Sequence, residues 1–226
     1  MDKKVAKKHY RLKYKSVIIF TSILLLIGIL VYCFLNIRLK NIYISGNTII
    51  SDQDIIEYLG LEDYPKVFSY TTSSLKKSLN KNIYVKDSKI KRAGLTGIKI
   101  EIDENYPLFY DQNKNKTVLL NGDTTNKLLP APTLINYVPD KKYEKLIKKF
   151  SELDREILNK ISEIEYRPNE VDDELFLLKM NDSNYVYITL LKIKSLNQYV
   201  TIIKNFQGKK GILYLDSGEY FKVLEG

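Results

Sequence analysis

The sequence has one cysteine, one histidine and no tryptophan among its 226 residues. A single Cys33 excludes a disulfide within the chain, and Cys33 with His9 cannot build a Cys/His zinc cluster. Because neither residue type occurs after position 33, Ser-His and Cys-His nucleophilic pairs are excluded from the rest of the chain. The missing tryptophan argues weakly against a sugar-stacking cleft, although eighteen tyrosines offer a substitute.

Acidic residues are scarce at the N-terminus, and this scarcity explains much of the net charge of +9. Residues 1–15 hold seven Lys/Arg and one acid, Asp2. A polybasic tail that binds RNA is one interpretation. Its position directly before an apolar run favours a signal for membrane topology instead.

Residues 16–37 read "SVIIFTSILLLIGILVYCFLNI" and contain no charged side chain. A helix needs about 20 apolar residues to cross a bilayer, whereas the apolar region of a cleavable signal peptide has about 7 to 15. The following "YCFLNIRLK" contains no small-residue cleavage site. We therefore predict an uncleaved transmembrane helix over 16–37, with the basic tail in the cytoplasm and the remainder exported.

The segment after the anchor has the pattern strand, helix, helix, strand, strand. Residues 41–45 alternate as a strand does, and Gly46 and Asn47 then tolerate the left-handed angles of a turn. Ser51 is a good N-cap for a helix that ends at Gly60. A second helix is predicted near Ser73 or Ser74, with Leu75 and Leu79 on one face. A last strand follows, with Ile98, Ile100 and Ile102 pointing inward, and Pro107 is expected to end it.

Residues 108–226 mix strands and helices. "KTVLLNGD" predicts a strand and an Asn-Gly turn, and "LFLLKM" and "YVYITL" predict a hairpin across "NDSN". The predicted helix faces are Leu146, Ile147, Phe150 and Leu153; Leu158 and Ile161; and Leu196, Tyr199, Val200 and Ile203. Two short strands, in "GILYLDS" and "EYFKVLE", close the chain.

Few residues of the exported part favour catalysis. Carboxylate pairs such as Glu101/Asp103 and Asp172/Asp173 have the chemistry of a glycosidase, but acids of this kind usually lie in solvent. A basic cluster has two interpretations, a solvated surface or a site for anionic wall polymers and lipid headgroups. Its members are Lys76, Lys77, Lys81, Lys86, Lys89, Lys91 and Arg92.

A short basic tail, one anchor and "IYISGNTIISDQDI" together resemble the DivIB/FtsQ family of bacterial division proteins. The residues that carry the match are Ile42, Ile44, Gly46, Asn47, Ser51, Asp54 and Ile55, which are similar to the start of that family's POTRA domain. The resemblance continues through 118–123, "ISEIEY" at 161–166 and "YLDSGEYFKV" at 214–223. "KRAGLTGIKI" departs from the family pattern because it lacks a proline before the last POTRA strand.

The resemblance implies an α+β protein in which a single transmembrane helix precedes a β-α-α-β-β POTRA module and a mixed α/β domain that ends in edge strands. The implied divisions are a cytoplasmic tail 1–15, a helix 16–37, a POTRA domain 38–107 and a β domain 108–226. Gly46 and Asn47 would shape the first turn of the POTRA module.

The implied function is a non-enzymatic divisome scaffold at the septum, with no cofactor, nucleic acid or small-molecule substrate. It would bind FtsL and DivIC/FtsB-type partners and help to control septal peptidoglycan synthesis. The expected partner-binding residues form the last edge: Gly218, Glu219, Tyr220, Phe221, Lys222 and Val223. The alternatives are an exported wall-polymer-binding module or enzyme, and a POTRA protein of a sensor or transport system.

Overall fold

The computed structural model describes residues 14–206 and 208–224, so most of the predicted basic tail lies outside the described residues. The first element is helix α1, Tyr14–Leu35, which is long and apolar enough to cross a membrane. Its 22 residues span about 33 Å at about 1.5 Å per residue, close to the thickness of a hydrocarbon core. The helix begins and ends two residues before the predicted bounds.

The chain divides into two compact units, and α1 belongs to the first. Among the described residues, the first unit comprises 14–45, 52–79 and 88–101, and the second comprises 46–51, 80–87 and 102–224. The elements up to residue 104 are β1 (Asn41–Ser45), α2 (Asp52–Tyr58), α3 (Thr72–Leu79), β2 (Val85–Ala93) and β3 (Gly97–Glu104). Their strands form a sheet of order β1-β3-β2, with β1 parallel to β3. The predicted β-α-α-β-β order is confirmed.

Local sequence explains the ends of both helices. Asp52 and Asp54 lie in the first turn of α2, where carboxylates suit the positive end of the helix dipole, and Gly60 follows the helix with φ +64°. Thr71 precedes α3, and its hydroxyl accepts the Ser74 backbone N–H at 3.0 Å. Ser74 Oγ accepts the Thr71 N–H in return, which satisfies two backbone donors at once.

The alternation of β3 is confirmed, and it extends one step further than expected. Ile98, Ile100 and Ile102 are buried, and Glu104 continues the same parity and is only 3% exposed. The expectation that Pro107 ends this strand was wrong. The strand ends at Glu104, and Pro107 begins the next one, a position where its missing N–H is tolerated.

The second unit is built on a sheet of nine strands. They are β4 (Pro107–Asp111), β5 (Lys116–Leu119), β6 (Thr124–Thr125), β7 (Thr133–Leu134), β8 (Ile161–Tyr166), β9 (Leu175–Met180), β10 (Tyr185–Thr189), β11 (Gly211–Tyr214) and β12 (Tyr220–Val223). The sheet order is β12-β11-β10-β9-β8-β7-β4-β5-β6. The predicted hairpin is the antiparallel β9–β10 pair, and the β10–β11 pair is parallel.

Helices of the second unit complete its core. They are α4 (Asp140–Phe150), α5 (Arg155–Leu158), a 3₁₀ helix (Leu190–Gln198) and α6 (Tyr199–Lys204). The prediction that Ile161 shares a helix with Leu158 was wrong, because α5 ends at Leu158 and Ile161 begins β8. The single helix predicted around residues 196–203 is a 3₁₀ helix followed by a short α-helix.

Candidate functional site

Strand β12 lies at one end of the nine-stranded sheet. It pairs antiparallel with β11 from Gly211↔Val223 to Tyr214↔Tyr220, and in the described part of the chain no strand lies on its other side. The Leu224 N–H donates to Lys210 O at 2.9 Å, so even-numbered residues from 220 to 224 direct their backbone groups towards β11. The N–H and C=O groups of the odd-numbered residues therefore point outward.

One face of this edge carries a row of tyrosines. Tyr187 of β10 pairs with Tyr214 of β11, and Tyr214 pairs with Tyr220 of β12. The ring centroids are 5.4 Å and 4.6 Å apart, and the ring planes differ by 18° and 9°. Burial and then the neighbouring phenol of Tyr220 raise the pKa of Tyr214, so its hydroxyl is neutral at physiological pH. The row is stacked, and the outer face of the Tyr220 ring is left at the sheet edge.

The other face of β12 packs on the unit's core. Phe221 is partly buried, and its ring centroid lies 4.3 Å from that of Phe206. Val223 shares this face but is 40% exposed, and Tyr220 on the opposite face is 52% exposed. Phe221 therefore holds the strand in place, while Tyr220 and Val223 remain accessible.

A polar network fixes the start of β11 and thereby the position of β12. Buried Asn184 accepts the Gly211 N–H at 2.9 Å through Oδ1 and donates through Nδ2 to the Tyr199 hydroxyl at 3.1 Å. Tyr199 donates to the carboxylate of Asp182 at 2.8 Å. Burial raises the pKa of Tyr199, which keeps this donor protonated. The predicted "NDSN" turn thus joins the hairpin to the last two strands.

The surroundings of β12 are basic. The exposed lysines on or beside β11 and β12 are Lys209, Lys210 and Lys222. The exposed acid at the start of the strand is Glu219. An acidic extended segment would complement this edge, because opposite charges favour encounter and register.

The turn residues named from the sequence lie together, but they differ in conformation. Gly46 has φ +89°, and a Cβ there would approach the Ile102 carbonyl oxygen to 2.2 Å, so this position requires glycine. Asn47 is not among the described residues with positive φ, and its Nδ2 donates to Ile50 O at 2.9 Å. Its side chain stabilises the turn that its backbone angles were expected to form.

Glu104 anchors the same turn and was not singled out from the sequence. Its Oε1 accepts the backbone N–H groups of Thr48 and Ile49, each at 2.6 Å. The guanidinium of Arg155 lies 3.6 Å from Oε2 and donates to the Thr48 hydroxyl at 2.7 Å. These contacts satisfy a carboxylate that is almost fully buried.

Arg92 belongs to the basic cluster, and in the first unit it holds a loop. Its Nη2 donates to the carbonyl oxygens of Val67 at 2.6 Å and Tyr70 at 3.1 Å. Its guanidinium carbon also lies 4.6 Å from the centroid of the Tyr70 ring. The sequence suggested either a solvated surface or an anion site for the basic cluster. Arg92 fits neither interpretation, because its guanidinium stabilises the loop.

A broad depression in the second unit has a volume of about 700 Å³ and lies beside Tyr106, Leu128 and Arg155. None of the described residues that line it is Asp or Glu. In the ranges 14–206 and 208–224, no group of three or more His, Cys, Asp or Glu is placed to hold a metal ion.

Comparisons with known proteins find similar sequences among bacterial cell division proteins. The family model "POTRA domain, FtsQ-type" matches residues 37–105. The cell division protein DivIB of Bacillus cytotoxicus is 28% identical over 219 residues, which cover 92% of this chain and 86% of that protein. DivIB of Listeria monocytogenes is 27% identical over 195 residues, with 82% and 72% covered, and DivIB of Bacillus subtilis is 28% identical over 197 residues, with 82% and 74% covered.

Residues 37–105 thus match a POTRA domain of the FtsQ type, and the chain is similar over most of its length to DivIB cell division proteins. This similarity supports a role in cell division, helix α1 fits a membrane anchor, and the matched POTRA segment begins two residues after α1. A solved structure of the major extracytoplasmic domain of Geobacillus stearothermophilus DivIB is also similar, with 22% identity, a TM-score of 0.38, and coverage of 46% of this chain and 96% of that one.

Proposed function

We propose that the chain is a non-enzymatic, bitopic scaffold of the divisome, with a cytoplasmic N-terminus and enrichment at the septum. Its last sheet edge, residues 218–223, binds an extended segment of an FtsL or DivIC/FtsB-type partner. Through this contact it helps to control septal peptidoglycan synthesis. We keep 38–107 and 108–226 as the proposed POTRA and β domains. The observation that carries the proposal is the unpaired outer side of β12 among the described strands.

Strand addition follows from the backbone geometry of that edge. An open strand presents unpaired N–H and C=O groups, and an extended peptide satisfies them by adding one more strand. On β12 the outward groups belong to Phe221 and Val223, because the even-numbered neighbours face β11. The short strand and Lys222 also discourage unspecific pairing, which leaves room for a partner of matching charge.

The tyrosine row adds specificity to this edge. A partner side chain opposite Tyr220 would continue the row over the outer face of its ring. An aromatic or arginine side chain fits there best, because both stack on aromatic faces. The partner segment that we expect therefore has one planar side chain at this position and acids near Lys210 and Lys222.

The wall-polymer and enzyme alternatives have less support. Sugars stack on open aromatic faces, but the faces between Tyr187, Tyr214 and Tyr220 cover one another. A glycosidase needs two convergent carboxylates, and the broad depression of the second unit has none among its described lining residues. Neither feature matches the chemistry that those functions require.

The test removes single N–H groups from the full chain. Val223→Pro deletes a donor on the outer side of the edge, and Glu219→Pro removes the N–H just before β12, while the bonds to β11 remain. Each has a matched control, Val223→Ala and Glu219→Ala, which changes the side chain and keeps the N–H. We expect both proline variants to lose binding to partner ectodomains of the FtsL and DivIC type, and both alanine variants to keep most of it.

Equal affinity of the proline and alanine variants for both partners would refute strand addition. Localisation tests the wider proposal, with a fluorescent protein fused to the N-terminus of the full chain. We expect a band at mid-cell, whereas uniform membrane fluorescence would contradict the septal role.

A further inference from the structure

The first unit contacts the end of the membrane helix directly. Residues 36–40 follow α1, and they run alongside the loop 61–70 with backbone hydrogen bonds in both directions. Val67 N–H donates to Ile37 O at 2.8 Å, and Leu39 N–H donates to Pro65 O at 2.9 Å. This loop is therefore held against the point at which the chain leaves the bilayer.

An aromatic pair fixes the depth of the loop. Phe34 lies in the last turn of α1, and its ring centroid is 4.8 Å from that of Phe68. Phe68 remains 47% exposed despite this contact. Because α1 has the length of a hydrocarbon core, the end of the helix marks the lipid–water interface, and Phe68 lies at that level.

A second exposed aromatic side chain accompanies Phe68 on the loop. Tyr64 is 47% exposed and has φ +47°, an unusual value for a residue with a side chain. Tyrosine is enriched at the level of lipid headgroups, where its ring is buried and its hydroxyl is hydrated. A strained backbone that holds an exposed tyrosine next to a membrane anchor is consistent with an interfacial contact.

A second loop lies at the same end of the unit. The backbone N–H groups of Lys40 and Asn41 donate to Thr96 O at 2.8 Å and 3.3 Å, so the turn between β2 and β3 is also next to the anchor. Gly94 in this turn has φ +70°, and Leu95 beside it is 50% exposed. Strand β1 starts here and leads away from the anchor.

Charges around the two loops are mixed, with a basic excess. The basic residues are Arg38, Lys40, Lys66, Lys91 and Arg92, and the acids of the loop are Glu62 and Asp63. The guanidinium of Arg92 donates to carbonyl oxygens of the loop 61–70 and so holds the loop in place. Lys40 and Lys66 flank the apolar side chains, as lysines do at the headgroup level of membrane proteins.

We propose that two loops of the first unit, 61–70 and 94–96, lie on the lipid surface at which α1 ends. Phe68, Tyr64 and Leu95 enter the interfacial region, and Lys40 and Lys66 contact anionic headgroups. The unit is then held by a helix and two loops, which restricts its rotation and tilt relative to the membrane. The contact does not depend on partner binding at β12.

The absence of native tryptophan allows a direct test in the full chain. Phe68→Trp, Leu95→Trp and Phe34→Trp each place one tryptophan, and Ser45→Trp is the control at the far end of β1, about 13 Å beyond Asn41. The proteins are reconstituted in phosphatidylcholine and phosphatidylglycerol vesicles with brominated acyl chains in both leaflets. Bromine quenches tryptophan only at short range, so either orientation of insertion gives the same information.

We expect Phe68→Trp and Leu95→Trp to lose emission and to shift to shorter wavelength, as Phe34→Trp does, while Ser45→Trp keeps its emission. Quenching of both loop variants no stronger than that of Ser45→Trp would overturn the proposal. Two variants on separate loops keep the test decisive if one of them misfolds.

Charge and polymer arms complete the experiment. Lys66→Glu, added to Phe68→Trp, should reduce quenching in phosphatidylglycerol vesicles more than in pure phosphatidylcholine. Equal quenching in both lipids, unchanged by Lys66→Glu, would refute the headgroup contact. If soluble poly(glycerol phosphate) shifts the emission of Phe68→Trp without quenching by lipid, the loops bind a wall polymer and the lipid proposal is wrong.

Discussion

The ring of Phe221 lies directly over the backbone of Gly211 on the neighbouring strand. A Cβ on Gly211 would approach Cζ of this ring to 2.6 Å and the Lys222 carbonyl oxygen to 2.3 Å. Glycine at this position lets the last strand and its core-facing ring pack closely on β11. The shape of the proposed binding edge therefore depends on a residue that lies outside it.

Gly211→Ala should loosen β12 and weaken partner binding. The added methyl group meets both backbone and ring, and overpacking of this kind costs about 1–3 kcal/mol. We expect faster hydrogen exchange at Lys222 and Leu224, whose N–H groups face β11, and lower affinity for the partner ectodomains. The control is Gly218→Ala, whose Cβ would meet the Tyr220 ring at an ordinary 3.4 Å, and its readout is hydrogen exchange because Gly218 lies in the proposed edge itself. Equal effects of the two substitutions would contradict this role of Gly211.

Tyr199→Phe should weaken the same edge through Asn184, which holds the start of β11. The variant removes the acceptor of Asn184 Nδ2 and leaves a buried amide donor unsatisfied. A lost partner of this kind costs about 1–3 kcal/mol. We expect a lower urea midpoint for the full chain in micelles. We also expect faster hydrogen exchange of the Gly211 N–H, which donates to Asn184. The control is Tyr137→Phe, because Tyr137 is 65% exposed. Unchanged hydrogen exchange at Gly211 in Tyr199→Phe would show that the Tyr199–Asn184 hydrogen bond does not hold β11.

Patterns within one element were sufficient to predict much of the fold. The alternation of Ile98, Ile100 and Ile102 and the apolar run of α1 describe faces that a single strand or helix presents, so no partner is needed to recognise them. Boundaries depended on neighbours and were less predictable. Ile161 continues a helical spacing from Leu158, but the pairing of Ile161 with Met180 places it in the sheet.

Residues that act across the chain were missed for the same reason. Asn184 was assigned to a turn, and nothing in its neighbours indicates that it accepts the Gly211 N–H, 27 positions away. Glu104 had a readable signal, since it continues the inward parity of Ile98, Ile100 and Ile102. A carboxylate at an inward position predicts a specific buried partner, because an unpaired charge in the core costs too much free energy.

Glu104→Ala tests that inference. The substitution leaves the N–H groups of Thr48 and Ile49 without their acceptor, which should cost about 1–3 kcal/mol and free the turn after Gly46. The control is Glu101→Ala on the same strand, whose partly exposed side chain pairs with Lys99 at 2.7 Å, a contact that solvent screens. Protection of the Thr48 and Ile49 amides from exchange should fall in the first variant alone; retained protection would show that Glu104 is dispensable for the turn.

Glu174 predicts the acid dependence of the second unit. Its carboxylate accepts hydrogen bonds from Lys145 and from Lys142, the latter at 3.1 Å, and these lysines lower its pKa below the ordinary value of 4.5. A lowered pKa in the folded state stabilises the protein above the unfolded value, and this stabilisation is lost as the pH falls through the folded value.

Glu174→Gln should therefore lower the free energy of unfolding by about 1 kcal/mol at pH 7, since the pair is only partly buried. The difference in stability from the native chain should shrink below about pH 4.5, because a protonated glutamate is neutral, as a glutamine is. Urea titrations of the full chain in micelles between pH 3 and pH 7 measure this convergence. Glu170→Gln, at an exposed position, is the matched control and should follow the native chain throughout. A difference that stays constant down to pH 3 would show that Glu174 acts through packing and not through its charge.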